Sequence, residues 1–300
     1  MSSDTSAPQA VEKPNLGAMT FLRPSEIKTY HQTTYDRISP NKTLDGKGKT
    51  VLVTAGATGI GFSIAESFAK AGVQHLAIIQ RRQEVLDKAK QAIESKYPNT
   101  KVTTHAASVT DLDRISLILE ELGKVDILVA NAAISHPFVP SKDVSTADYQ
   151  ATFDINVVST FHIIKEFLAQ ESSGPRAVIY TSSAAGQIVQ PGNIGYGPSK
   201  AAANVMIQHF ATESADTDVT IQTFHPGTIY TESVSNLLPK DALDWDDVSL
   251  PGEFAVWLAS PEAKFLAGRF VWAQWDVDEL LTLKERMAAN PALLSTTVIV

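Results

Sequence analysis

From residue 49 onward the chain alternates between two textures. Short, continuous apolar runs occur at 49–54 (KTVLVT), 75–80 (HLAIIQ), 102–107 (VTTHAA), 126–131 (DILVAN), 176–182 (RAVIYTS), 219–225 (VTIQTFH) and 268–275 (GRFVWAQW). Between them lie longer stretches with helical periodicity, which predict helices over 59–72, 83–96, 111–122, 146–170, 195–215 and 251–260. Ser145 is a good N-cap for the fourth of these. Apolar runs this short and unbroken suit strands buried on both faces, as in a parallel sheet covered by helices. The expected fold is α/β: a single-domain, Rossmann-like, doubly wound parallel sheet of about seven strands with helices on both faces.

Residues 1–44 read differently. They are rich in Ser, Thr and Pro without sustained periodicity, and predict an N-terminal arm that is loose or draped over the body. The aromatics of TYHQTTYDRISP are its expected docking point. No composition break or internal repeat divides the remainder, so 45–300 is expected to form one domain, with a C-terminal tail ending in STTVIV. An apolar tail of this kind suits either covering a cleft or contacting a neighbour.

Composition narrows the functional classes. Hydrophobic residues make up 44% and charged residues 19%, ordinary for a chain with a sizeable core. A net charge of −8 argues against a general nucleic-acid binder or a protein of anionic membrane surfaces, while leaving room for one local basic pocket. Cysteine is absent, which excludes disulfides, thiolate metal sites and a cysteine nucleophile. The seven histidines are widely spaced and form no local metal motif. No apolar run is long enough to span a bilayer, and the first residues lack a signal-peptide core, so a cytoplasmic protein acting on a small molecule is expected.

The first strand runs directly into TAGATGIG, 54–61, and then a helix. Gly56, Gly59 and Gly61 there let the backbone turn tightly and approach a ligand, and the following helix presents free amides to a phosphate. Thr58 and Ile60 complete the loop. The spacing resembles the Thr-Gly-x-x-x-Gly-x-Gly loop of the short-chain dehydrogenase/reductase family, with Ala55 where that family usually has its first glycine. Alanine takes positive φ at a cost, so the turn is expected to shift by one residue. At the end of the second strand Gln80 stands where NAD-specific proteins carry an acid, and Arg81 and Arg82 follow. A guanidinium there suits a 2′-phosphate, so NADP(H) is favoured over NAD(H).

Two segments fit Tyr-x-x-x-Lys: YPNTK at 97–101 and YGPSK at 196–200. Ligands of open α/β sheets bind outside the carboxyl ends of the strands. Tyr97 follows a helix and precedes a strand, which puts it at the opposite edge. Tyr196 follows a strand and a loop and opens a helix, where Lys200 shares its face. A nearby ammonium favours the phenolate, which suits Tyr196 to acid–base work.

The resemblance extends over most of 49–232. Tyr196 and Lys200 match the family's Tyr-x-x-x-Lys, and Ser183 lies at the family's 13-residue spacing ahead of Tyr196. Asn156 matches the asparagine that supports a water-linked proton relay to the lysine. Asn131 and Ala132 match the Asn-Asn-Ala-Gly element, with Ala130 and Ala133 replacing its first and last residues. Ser108 and Val109 stand where Asp-Val usually meets the adenine. Pro226, Gly227, Ile229 and Thr231 match the segment that binds the nicotinamide carboxamide.

The resemblance implies hydride transfer between nicotinamide C4 and a carbonyl carbon, with Ser183 on the carbonyl oxygen and Tyr196 as general acid. It also implies a homo-oligomer, dimer or tetramer. An arm ahead of a complete core is similar to members common in filamentous fungi, often in secondary metabolism. The segments 134–140, 186–195 and 231–245 lean apolar, which suggests a medium-sized, mostly hydrophobic ketone or alcohol. A non-redox catalyst on the same fold (a dehydratase, epimerase or cyclase) and an NADP(H)-sensing regulator are the alternative readings.

Overall fold

The structure is a computed structural model and describes residues 24–135, 138–171, 173–236 and 238–296. Seven strands form one sheet: β1 Thr50–Thr54, β2 His75–Gln80, β3 Lys101–Ala106, β4 Ile127–Ala130, β5 Arg176–Thr181, β6 Val219–His225 and β7 Phe270–Trp272. Their order is β3-β2-β1-β4-β5-β6-β7, every neighbouring pair being parallel. The order reverses between β1 and β4, where a doubly wound sheet opens its ligand crevice.

Strand side chains alternate between two buried layers. Val51, Val53, Ile127, Val129 and Ile179 join one core with Ile64, Phe68, Leu86, Phe254 and Trp257, from the helices Gly59–Lys70, Gln83–Lys96 and Ser249–Leu258. Leu52, Leu128, Val178 and Tyr180 join the other with Ile118, Ile163, Phe167 and Ile207, from Leu112–Leu122, Ser159–Ala169 and Tyr196–Glu213. Burial on both faces is why the strands read as continuous apolar runs.

Two elements differ from the sequence expectation. The helix predicted over 146–170 is two α-helices, Thr146–Phe153 and Ser159–Ala169, joined by a π-helical turn at Asp154–Val158. The extra residue of a π turn leaves no trace in apolar periodicity, and such turns gather at functional positions. The seventh strand is shorter than expected, pairing with β6 only over Phe270–Trp272. The described part of the tail returns to the start of that strand, where Phe270 N–H donates to Leu294 O and Arg269 donates to Leu293 O. That is the edge opposite the ligand crevice; residues 297–300 of the tail lie outside the described residues.

Residues 24–44 lie against the body. Ile27 and Ile38 are buried in the first core, and Tyr30 makes an antiparallel bridge with Trp275. Arg37 reaches Glu262 and Asp278, and the amides of Lys28 and Thr29 donate to Glu279.

Candidate active site

The predicted site residues follow the carboxyl ends of six strands. The glycine loop follows β1, Arg81 and Arg82 follow β2, Ser108 and Val109 follow β3, and Asn131 and Ala132 follow β4. Ser183 follows β5, and Pro226–Thr231 follow β6. Tyr97 caps the helix Gln83–Lys96 just before β3, at the other edge of the sheet.

The turn after β1 is not displaced: Ala55 itself adopts φ +51°. The expected shift fails because the surrounding contacts fix the turn. A side chain on Gly61 would stand 2.2 Å from Ala55 O and 2.6 Å from Asn131 Nδ2. Thr54 Oγ1 accepts from the Asn131 and Ala132 amides at 2.9 Å, and Asn131 Nδ2 donates to Thr54 O. Thr58 is the N-cap of the helix Gly59–Lys70 but makes no side-chain cap bond, so the first-turn amides remain open to an anion. Ile60, half-buried, packs on the first core beneath them.

Arg81 and Arg82 are exposed, and neither has an ion-pair partner among the described residues. Ser108 Oγ is engaged with Thr110 in a local turn, and Val109 packs on the second core. Ile229 is buried and bridges to Asp246, while Thr231 caps the short helix Glu232–Ser235 and comes up to Gly59.

The four catalytic candidates converge between β5 and the helix Tyr196–Glu213. Ser183 Oγ accepts from Ala185 N–H at 3.2 Å, and its side chain lies near enough to the Tyr196 phenol to lower that phenol's pKa. Asn156, fully buried on the π turn, accepts from Ile134 N–H and donates to Ile134 O and Ser199 Oγ, each at 2.9 Å. Ser199 Oγ in turn donates to Tyr196 O, which ties Asn156 to the tyrosine's backbone. Lys200 is buried, with Nζ 5.7 Å from the Tyr196 ring centre; it donates to Thr181 O at 2.9 Å and Tyr180 Oη at 3.2 Å.

Electrostatics here differ from the sequence expectation. Burial pushes the Tyr196 phenol above its ordinary value, and the Ser183 side chain pulls it partly back. Burial also lowers Lys200 to about 7, so the ammonium expected to draw the phenol down is itself only partly charged near neutrality.

Three further residues support the site and carried no motif. Tyr180 meets Lys200 because β5 alternation aims it at the helix Tyr196–Glu213. His225, at the end of β6, accepts from the Ala184 amide through Nδ1 at 3.2 Å, which steadies the residue after Ser183. Burial lowers that imidazole to about 3, so it is neutral, with its proton on Nε2. Asp246 holds the Gly227–Thr228 peptide. The aromatic tip in the apolar run of β5 and the His-Pro-Gly order are the sole sequence signals for the first two; Asp246 sits in an acidic stretch that reads as solvated.

Comparison with known proteins fits this geometry. Residues 49–242 match the family described as short chain dehydrogenase. The short chain dehydrogenase/reductase AacuD of Aspergillus aculeatus is 46% identical over 280 residues, covering 93% of this chain and 98% of that protein. Its counterpart nsrO of Aspergillus novofumigatus is 44% identical over 284 residues, with coverage of 93% and 98%. Among solved structures, a short chain dehydrogenase of Burkholderia cenocepacia in complex with NADP superposes with TM-score 0.69 at 23% identity, over 76% of this chain and 97% of that one. A 7α-hydroxysteroid dehydrogenase complexed with NADH and 7-oxo glycochenodeoxycholic acid superposes with TM-score 0.71 at 22% identity, over 80% and 97%. With the glycine turn, the Ser183–Tyr196 pair and Lys200 gathered at one sheet edge, and with matches spanning nearly its whole length, this chain belongs to the short-chain dehydrogenase/reductase family of oxidoreductases.

Proposed function

We propose that this protein is an NADP(H)-dependent oxidoreductase that interconverts a ketone and a secondary alcohol on a medium-sized, mostly apolar molecule. The observation that carries the reading is the gathering of Ser183, Tyr196 and the buried Lys200 at the carboxyl edge of β5, with Lys200 Nζ 5.7 Å from the Tyr196 ring centre.

The residues present fit a dinucleotide. The uncapped helix start at Gly59, which the bare Gly61 lets pack against the turn at Ala55, suits a pyrophosphate beside Gly56, Thr58 and Ile60. The exposed Arg81 and Arg82 suit a 2′-phosphate, which favours NADP(H) over NAD(H). Ser108 and Val109 would border the adenine, Asn131 and Ala132 the adjoining ribose. Tyr196 and Lys200 would meet the nicotinamide ribose, and Pro226, Gly227, Ile229 and Thr231 the carboxamide. When bound, the nicotinamide supplies or accepts the hydride.

Ser183 hydrogen-bonds the substrate oxygen, and Tyr196 gives it a proton in the reductive direction. Lys200, when charged, favours the phenolate that results. Asn156 holds the loop at Ile134 and, through Ser199, the tyrosine's backbone, fixing the distance across which the proton moves.

The rim supports this substrate class. Phe138, Val189, Ile194 and Leu238 expose apolar surface on loops beside the site, and the loop bearing Gly192 touches Phe138. The close likeness to fungal relatives supports a place in fungal small-molecule metabolism. Val158, Phe161 and Val205 expose a further apolar strip on neighbouring helices, which supports a homo-oligomer. No described helix is long and apolar enough to cross a membrane, and the lack of cysteine suits a cytoplasmic setting.

Fluorescence titration with NADPH and with NADH, followed by ketone screening at the nicotinamide absorbance, tests the reading. Tighter NADPH binding and substrate-dependent absorbance loss are expected. Binding of neither cofactor, or substrate conversion without any absorbance change, overturns it, the latter in favour of a non-redox catalyst.

A further inference from the structure

Asp246 is a buried carboxylate that takes no part in the proposed chemistry, yet its contacts converge on the segment after β6. Its Oδ2 accepts from Thr228 N–H at 2.7 Å, and its own amide donates to Thr228 O at 2.8 Å. Ile229 pairs with Asp246 in an isolated parallel bridge. Gly227, at φ +102°, presents its bare Cα so closely that a Cβ would stand 2.8 Å from Oδ2; only glycine lets the peptide approach the carboxylate. Gln274 Nε2 donates to the same oxygen at 2.8 Å, while Gln274 Oε1 is buried with no hydrogen-bond partner among the described residues. At its far end this segment brings Thr231 within 3.4 Å of the Cβ position of Gly59 in the glycine loop.

The N-terminal arm closes the network from outside. His31 N–H donates to Gln274 O at 2.7 Å, and Gln32 O accepts from Asp247 N–H at 2.7 Å. Gln32 Nε2 donates to Asp244 Oδ2 at 3.1 Å. The arm therefore bonds Gln274, which holds Asp246, and also Asp247 and Asp244 near it in the chain.

We propose that Asp246 is a positioning residue for the cofactor-facing segment Pro226–Thr231, and that the arm, through His31 and Gln32, completes the brace that holds it. Its link to the cofactor rests on the oxidoreductase reading above; the brace itself does not. An anionic or neutral oxygen at this position serves, because the requirement is an acceptor for Thr228 N–H. A buried amide left without its acceptor costs enough to open the segment locally.

The test uses the full chain and two readouts: hydrogen exchange of the 227–231 amides without added nucleotide, and NADPH affinity by fluorescence. Asp246→Ala is expected to speed exchange and weaken NADPH binding, each roughly tenfold. Asp246→Asn keeps an oxygen that can accept from both Thr228 N–H and Gln274 Nε2, and is expected to stay within about threefold of the unsubstituted chain. His31→Pro removes the arm's N–H donor to Gln274 and is expected to speed exchange at 227–231. Should Asp246→Ala fail to fold, the contrast between Asp246→Asn and His31→Pro decides. Wild-type exchange in Asp246→Ala, or in His31→Pro, overturns the brace, as does an Asp246→Asn chain that opens faster than His31→Pro. An unsubstituted chain that binds no nicotinamide nucleotide defeats the oxidoreductase reading, and the exchange comparison still judges the brace.

Discussion

The Lys200 ammonium nitrogen lies 3.2 Å from the hydroxyl of Tyr180, with the Tyr180 ring centre 4.8 Å away. Both groups are buried, so the contact operates without competition from water. It gives Lys200 a fixed partner on β5 and sets where its charge sits relative to Tyr196. Tyr180→Phe keeps the ring and removes the hydrogen bond. Turnover is expected to fall about tenfold, with a displaced limb in the pH–rate profile near 7, where burial places Lys200. An unmoved profile in that variant would show that Tyr180 only fills space.

Tyr196→Phe separates chemistry from binding. Removing the phenol oxygen is expected to lower kcat by at least about a hundredfold while NADPH affinity, measured by fluorescence, stays near that of the unsubstituted chain. Turnover equal to the unsubstituted chain would remove Tyr196 from the mechanism.

The exposed pair Arg81 and Arg82 has no ion-pair partner among the described residues, so its loss is expected to leave the fold unchanged. Replacing both by Ala is expected to weaken NADPH binding about tenfold or more and leave NADH binding and the melting temperature unchanged. Equal weakening for both nucleotides would mean that the pair does not read the 2′-phosphate.

His225 couples stability to acid. Its folded value of about 3 lies below the ordinary 6.5, so the folded chain resists a proton that the unfolded chain accepts. The contribution is fully present above pH 6.5, on the order of 5 kcal/mol, and is lost progressively as the pH falls towards 3. Chemical denaturation at a series of pH values should show this fall, and His225→Asn should flatten it. A parallel fall in the variant would assign the acid sensitivity to other groups.

Ala55 holds a left-handed backbone, which costs an L-residue about 1–2 kcal/mol. Glycine relieves that cost but gains freedom in the unfolded chain. Ala55→Gly is expected to stabilise by roughly 0.5–1 kcal/mol, read by denaturant midpoint. A lower midpoint would mean that the Ala55 methyl contributes packing that outweighs the strain.

Much of the molecule was legible in one dimension because its determinants are local or periodic. Unbroken apolar runs such as 126–131 mark strands covered on both faces, and the glycine spacing at 56–61 marks a strand-to-helix turn. The edge rule separated Tyr196 from Tyr97, since the order of strand, loop and helix already states which end of the sheet a residue follows. The π turn at Asp154–Val158 escaped, because one added residue in a hydrogen-bond ladder does not alter the apolar pattern around it.

What the sequence determined by itself, then, was the sheet and the edge where Ser183, Tyr196 and Pro226–Thr231 collect. The tertiary structure decided their surroundings. Burial, which depends on every neighbour, raised Tyr196 and lowered Lys200, against the expectation drawn from residue types alone. Strand register decided that Tyr180 would meet Lys200, and chain return decided that His31 would bond Gln274 from 243 residues away (274 − 31). Such pairings arise from long-range packing, whose partners have no fixed spacing in the chain; only the folded coordinates bring them together.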